Sequence, residues 1–212
     1  MYLFSRRARL APGNIRAAMT WANAVTEKAN QISSLDISLF SSVFSPGVGT
    51  LVWSTFAPDL ASLEAATDKL AADDGYAAIL DEGSKFIQPG IDDGLLQLIH
   101  GEPNPARTVE YASTVQGVCT GGNIARGMEI GVEIAQRAEK ATGIPTMFAS
   151  SETGPYGSVA WVSGFADVAE MEKAQKALAA DSSFLKFIDD KASGVYLEEP
   201  SMSQQLIYRR IV

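Results

Sequence analysis

Several residue types are nearly absent from this chain of 212 residues, and each absence excludes a class of protein. There is one cysteine, Cys119, and one histidine, His100, so the chain forms no internal disulfide and no cysteine–histidine zinc cluster. No stretch approaches the ~20 apolar residues of a membrane-spanning helix. The first residues reach Arg6 and Arg7 too soon for a secretory signal peptide. We therefore expect no metal site and a cytoplasmic location.

Basic side chains are also scarce. The chain has 17 lysines and arginines against 25 acidic residues, which gives a net charge of −8. Such a surface is repelled by phosphate backbones and by anionic lipid, so we expect neither nucleic acid nor a membrane as partner. Apolar residues make up 46% of the chain and charged residues 20%, which is typical of a globular protein.

The sequence contains an internal repeat. When Gly49–Glu82 is placed over Gly157–Asp190, eleven of the 34 aligned pairs are identical, among them Trp53/Trp161, Asp59/Asp167 and Asp73/Asp181. Nearer the N-terminus, Gly13-Asn14-Ile15 matches Gly122-Asn123-Ile124. Internal repetition on this scale indicates two copies of one structural unit. We predict repeat 1 over residues 1–100, a linker with two prolines over residues 101–107, and repeat 2 over residues 108–212.

Both repeats predict the element order β-α-β-β-α-β. A strand-like start is followed by Asn14, a good N-cap, and by apolar residues at helical spacing. A hairpin comes next, then a second helix capped by Asp59 or Asp167, a short helix capped by Asp73 or Asp181, and a last strand. This order defines a ferredoxin-like unit. Because the strands are apolar on both faces, we expect an α+β fold in which the two repeats pack sheet to sheet as a pseudo-dimeric barrel with helices outside.

The hairpin, the tryptophan on the third strand, the Asp-capped helix and the segment Ala71-Ala72-Asp73-Asp74-Gly75-Tyr76 resemble the dimeric α+β barrel superfamily. This superfamily includes antibiotic-biosynthesis-type monooxygenases, NIPSNAP-like proteins and chlorite-dismutase-like haem proteins. The resemblance implies a pocket for a small organic molecule, often an aromatic one. Haem-binding members tend to carry a histidine near the second helix, and neither repeat has one there. We therefore expect no cofactor, although tyrosine can also ligate haem iron.

Four aromatic residues at matched positions are candidate site residues. Trp53 and Trp161 could stack on a flat substrate, and the alternative is that each anchors the core of its repeat. His100 is the side chain whose ordinary pKa lies near neutrality, which suits proton transfer. Its counterpart is Tyr208 in repeat 2, and the alternative is that both rings lie exposed at strand ends.

Two arginines on the first strand are further candidates. Arg6 and Arg7 correspond to Val115 and Gln116 in repeat 2, so the repeats differ at these positions. An arginine on a central strand must pair with a carboxylate or line a polar cavity. We expect a polar pocket in repeat 1 that suits an anionic or enolate substrate, with an ion pair as the alternative.

Two hypotheses about function follow. In the first, the protein binds a small organic molecule and acts as a cofactor-independent monooxygenase on an aromatic or enolic substrate. Arg6 would stabilise the anion, His100 or Tyr208 would move the proton, and Trp53, Trp161 and Arg7 would bind the substrate. In the second, the protein is a non-catalytic scaffold or ligand carrier. Pairing of the tandem barrel with a second chain is compatible with both.

Overall fold

The structure is a computed structural model that describes residues 1–199 and 201–212. Over these residues the fold is α+β with eight strands, and it divides into two compact units. Unit 1 comprises residues 1–95 and 209–212, and unit 2 comprises residues 96–208. Hydrogen bonding places the strands of unit 1, numbered along the chain, in the order β1-β3-β2, and those of unit 2 in the order β5-β7-β6, with the end of β4 beside β6. The predicted fold class is confirmed.

Repeat 1 follows the predicted element order. Its elements are β1 (Tyr2–Leu10), α1 (Ile15–Ser33), β2 (Ser38–Ser42), β3 (Thr50–Ala57), α2 (Leu60–Ala71), α3 (Asp74–Glu82) and β4 (Ile87–His100). A short 3-10 turn at Gly83–Lys85 joins α3 to β4. The sequence pattern predicts this last strand only around residues 95–99, because the first half of the observed strand is largely exposed and carries Pro89 and Gly90 instead of an apolar alternation.

Repeat 2 has the same order. Its elements are β5 (Tyr111–Val118), α4 (Ile124–Thr142), β6 (Thr146–Ser151), β7 (Ser158–Phe165), α5 (Val168–Ala180), α6 (Ser182–Phe187) and β8 (Gln204–Arg210). A turn of π-helix at Ile188–Ala192 follows α6. Of the helices in the described residues, none combines the length and the apolar character that crossing a bilayer requires.

In unit 1, β3 lies between β1 and β2 and pairs antiparallel with both. The stripe of apolar residues on α1 packs against one face of this sheet, as the helical spacing predicts. The buried core there consists of Ala8, Trp21, Ala22, Val25, Leu39, Leu51 and Trp53. Val52 is also buried, although it alternates with Leu51 and Trp53 along β3, so this strand is apolar on both faces.

In unit 2, β7 pairs antiparallel with β5 and β6, and the end of β4 pairs with β6. The helix α4 lies very close to the sheet. A Cβ atom added at Gly131 would lie 2.1 Å from the ring of Phe148, and one added at Gly127 would lie 2.4 Å from Sγ of Cys119. Both contacts require glycine on the helix, since Phe148 and Cys119 are buried.

Aspartate side chains cap the later helices as predicted. Asp59 accepts a hydrogen bond from the backbone N–H of Ser62 at 2.7 Å, and Asp167 does the same for Glu170 at 2.7 Å. Asp73 and Asp181 cap α3 and α6 in the same way. The prediction for Asn14 is wrong in one respect. Asn14 precedes α1, but its backbone is left-handed, with φ of 47°, and its side chain makes no capping hydrogen bond, because capping requires an extended backbone at that residue.

The cap of α2 predicts a pH dependence of stability. The hydrogen bonds from Ser62 lower the pKa of Asp59, so its contribution is present above the pKa of about 4 that aspartate has in the unfolded chain, and it is lost as the pH falls through the lower folded value. Serine also caps a helix but does not ionise. We expect the stability difference between the wild type and Asp59→Ser, measured by urea unfolding, to shrink from pH 6 to pH 2.5; a constant difference would contradict this.

Candidate functional site

Arg6 lies on the helix-facing side of the unit 1 sheet. It is in register with Trp53 on β3, and directly opposed residues of an antiparallel pair project to the same face. The indole of Trp53 packs in the core under α1 and donates a hydrogen bond to Thr26 Oγ1 at 3.0 Å. Two predicted site residues, Arg6 and Trp53, are thus neighbours across a strand pair.

The guanidinium of Arg6 is held by a carboxylate. Its Nε and Nη2 atoms donate to the two oxygens of Asp93 on β4, each at 2.8 Å, and the hydrogen bonds to Asp93 raise the pKa of Arg6. The side chains of Arg6 and Asp93 remain 44% and 45% exposed. The bidentate contact occupies one edge of the guanidinium, and Nη1 has no hydrogen-bond partner among the residues that the structure describes. A ligand oxygen can therefore reach Arg6 without breaking the ion pair.

Tyr76 on α3 is a third group near Arg6. It packs against the unit 1 core, and burial raises the pKa of its phenol, an effect that the positive charge of Arg6 partly opposes. Within residues 1–199 and 201–212, the Tyr76 hydroxyl makes no hydrogen bond. The counterparts of Arg6 and Tyr76 in repeat 2 are Val115 and Phe184, so this pair of polar groups belongs to unit 1 alone.

Arg7 lies on the other face of the sheet from Arg6. It is in register with Val52, and side chains alternate between faces along a strand. Its guanidinium lies over Gly94 of β4, where an added Cβ would be 3.2 Å from Nη2. The structure therefore does not bring Arg7 together with Arg6 and Trp53.

Trp53 and Trp161 both lie in packed surroundings. The ring of Trp53 meets Trp21 edge-on, with centroids 6.0 Å apart. In unit 2, Trp161 donates from Nε1 to the Gly131 carbonyl at 2.8 Å and packs against Phe148 and Tyr196. Packing of this kind agrees with the alternative that each tryptophan anchors a core; a substrate beside Trp53 would contact its edge on the side of Arg6.

His100 and Tyr208 both belong to unit 2, and both are partly buried. His100 is in register with Phe148 of β6, just after an irregularity in the pairing of β4. Tyr208 lies on β8. Since Arg6 and Trp53 belong to unit 1, the geometry of each unit leaves the roles of His100 and Tyr208 as predictions.

The residues of unit 2 do not fit a haem. Its single histidine, His100, is opposite Phe148, whose ring is completely buried against α4. The space between α4 and the sheet is filled by Phe148, Trp161 and Tyr196. The hydroxyl of Tyr196 donates to the Gly127 carbonyl, and burial raises the pKa of this tyrosine, which disfavours the phenolate that would ligate iron.

The sequence did not identify three residues of repeat 1 that the structure brings into view. Asp93 was not singled out, yet it lies on β4 and binds Arg6. Tyr76 was noted only as the last residue of the segment that carries the family resemblance. Trp21 was not singled out, although it is the tryptophan without a matched tryptophan, since repeat 2 has Ile130 there. That mismatch is the signal that could have directed attention to it.

The chain shares its fold with several solved structures, which agrees with the fold that the resemblance implied. No protein-family model matches the sequence, and no curated protein matches it. Solved structures match it in fold. A provisionally named monooxygenase from Fusobacterium nucleatum is similar with a TM-score of 0.72 and 7% identity, over 100% of this chain and 92% of that one.

Two further structures are similar at the same level. An anthrone oxidase-like protein has a TM-score of 0.65 and 11% identity, over 100% of this chain and 91% of that one. A provisionally named monooxygenase from Lactobacillus acidophilus has a TM-score of 0.64 and 8% identity, over 99% and 93% of the two chains. Identities this low establish the common fold and leave the function to the site itself.

Proposed function

We propose that the chain binds a small aromatic or enolic molecule beside Arg6 in unit 1 and oxidises it with molecular oxygen as a cofactor-independent monooxygenase. One observation carries the proposal: the half-exposed guanidinium of Arg6 lies on the helix-facing side of the sheet beside Tyr76, where repeat 2 has Val115 and Phe184. The names of the similar structures, two monooxygenases and an anthrone oxidase-like protein, support the same class of reaction.

The chemistry follows from the charge on Arg6. A phenol or enol oxygen accepts a hydrogen bond from Nη1, and the negative charge that develops as the substrate loses its proton is stabilised by the guanidinium. The electron-rich carbon then reacts with oxygen. For a substrate with a reactive CH₂ group the balance is R₂CH₂ + O₂ → R₂C=O + H₂O, so that one oxygen atom enters the product and the other leaves as water.

Three residues are candidates for the group that accepts the substrate proton. Asp93 is the carboxylate beside Arg6, and we add it to His100 and Tyr208 as a candidate. Trp53 would form one wall beside the substrate, while Trp161 and Arg7 remain predicted binding residues. The proposal also retains the predicted cytoplasmic location and the absence of a resident cofactor.

The alternative of a non-catalytic ligand carrier is favoured by the packing of Trp53 and Trp161, which gives each indole a structural role.

Measurement of oxygen uptake distinguishes the monooxygenase from the carrier. With anthrone and 1-naphthol as probes, we expect one molecule of oxygen consumed per molecule of product, and one ¹⁸O atom from ¹⁸O₂ in that product. Binding of either probe without oxygen uptake would establish the carrier instead. If no probe binds and no oxygen is consumed, the scaffold function is the one that remains.

A further inference from the structure

A concave surface of unit 1 lies between α1 and the end of α3. Its volume is about 620 Å³, which is in the range of sites that bind small organic molecules. The residues that line it include Arg16, Thr20, Trp21 and Ala24 of α1, Glu82 at the end of α3, and Phe86 just before β4. This surface, the α1–α3 groove, does not include Arg6, Asp93 or Tyr76, so its function is separate from the one proposed above.

Aromatic and aliphatic side chains form a fixed wall of the α1–α3 groove. The rings of Trp21 and Phe86 lie 5.9 Å apart at an angle of 36°. Trp21 is held in place by a hydrogen bond from Nε1 to the Ile79 carbonyl at 2.8 Å. Its ring also lies so close to Gly83 that a Cβ added there would be 2.5 Å away. A wall that is already ordered costs a ligand little conformational entropy on binding.

Two opposite charges face the same groove. Arg16 on α1 and Glu82 at the end of α3 both line it, and both are exposed. In the part of the chain that the structure describes, neither forms an ion pair, with the other or with a third residue. A ligand that carries both a carboxylate and an ammonium group would complement them, whereas a ligand with a single charge would leave one of them unmatched.

Repeat 2 has larger side chains at two of the corresponding positions. The residues of α4 that correspond to Thr20 and Ala24 are Glu129 and Glu133. Glu129 pairs with Arg126 at 3.2 Å, and Glu133 pairs with Arg137 at 2.8 Å. The corresponding face of α4 therefore carries paired charged side chains where α1 carries the smaller, uncharged Thr20 and Ala24.

We propose that the α1–α3 groove binds a free amino acid with a large apolar side chain. Its carboxylate pairs with Arg16, its ammonium group pairs with Glu82, and its side chain packs on Trp21 and Phe86 over the space that Ala17 and Ala24 leave. The observation behind this assignment is the combination of two unpaired opposite charges with a preformed aromatic wall in one groove of suitable volume.

Calorimetric titration with matched probes tests the recognised chemistry. L-Tryptophan carries both charges, 3-indolepropionate lacks the ammonium group, and tryptamine lacks the carboxylate. We expect L-tryptophan to bind. Each of the other two probes should bind with an affinity that is lower by about fivefold or more, because each lacks one charge-assisted contact. No heat of binding with L-tryptophan, L-phenylalanine or L-leucine at 10 mM would overturn the proposal, and so would equal affinity for the three indole probes.

Two variants test the location of the site. Ala24→Glu introduces the residue that repeat 2 has at this position and fills the groove, while Arg16→Ala removes the partner of the carboxylate. We expect at least a tenfold loss of affinity for L-tryptophan in the first variant and about a fivefold loss in the second. Ala65→Glu, an equal change at an exposed position of α2, is the control. Circular dichroism and thermal unfolding confirm that each variant folds; unchanged binding in a folded Ala24→Glu would overturn the proposal.

Discussion

Replacing Gly131 with alanine is expected to lower the free energy of unfolding by about 2–3 kcal/mol, although alanine is the better helix former. The added Cβ would lie 2.1 Å from the Phe148 ring, which is completely buried between α4 and the sheet. Neither group can move aside, since the ring packs against Trp161 and the Gly131 carbonyl accepts a hydrogen bond from that indole. Urea unfolding followed by circular dichroism measures the loss.

Repeat 1 supplies the matched rescue of this variant. At the positions of Gly131 and Phe148 it has Ala22 and Leu39, both fully buried. The larger helix residue thus accompanies the smaller strand residue in one repeat, and the reverse holds in the other. We expect Phe148→Leu alone to cost about 1 kcal/mol, and Gly131→Ala combined with Phe148→Leu to be more stable than Gly131→Ala alone. Additive effects of the two substitutions would contradict the exchange.

This exchange illustrates what the sequence could predict of the fold and what it could not. Helical spacing predicted an apolar stripe on the first helix of each repeat, and the repeat provided two observations of each element. The distance between a helix and a sheet, however, depends on the side chains that meet across it. Because those residues are far apart in sequence, no local pattern reports that glycine on α4 is matched to phenylalanine on β6.

The same limit applies to the candidate site. Arg6 and Trp53 were assigned to one hypothetical site by their chemistry, and the structure makes them cross-strand neighbours. Alternation also separates Arg6 from Arg7, which the sequence analysis grouped because they are adjacent in the chain. Asp93 lies 87 residues from Arg6 along the chain. The role of Asp93 depends on where β4 begins, and the exposed, glycine-containing first half of β4 gives no sequence pattern that shows this.

If Arg6 stabilises the substrate anion, Arg6→Gln will lower the rate of oxygen uptake by about 100-fold, as expected for the loss of one charged donor to a developing anion. Glutamine keeps a hydrogen-bond donor but carries no charge, so the variant isolates the electrostatic contribution. The effect on stability will be small, because a half-exposed ion pair contributes less than about 1 kcal/mol. The control is Arg9→Gln, an exposed arginine of the same strand opposite Thr50, on the other face from Arg6. Equal rates in the two variants would remove Arg6 from the mechanism.

Asp93→Asn tests the same electrostatic argument in the opposite direction. Asparagine can accept a hydrogen bond from Arg6 but no longer neutralises it, so the positive potential that a ligand oxygen meets at Nη1 increases. We expect a nitrophenolate probe to bind about fivefold more tightly to this variant than to the wild type. The affinity of this variant for the neutral phenol should change little, so the pKa of the bound probe will fall.

Weaker phenolate binding would mean that Asp93 is needed to orient the guanidinium and that the contribution of Arg6 does not come from its charge. Tighter binding together with slower oxygen uptake would assign proton abstraction to Asp93, because the variant then improves the anion site while it lacks the base.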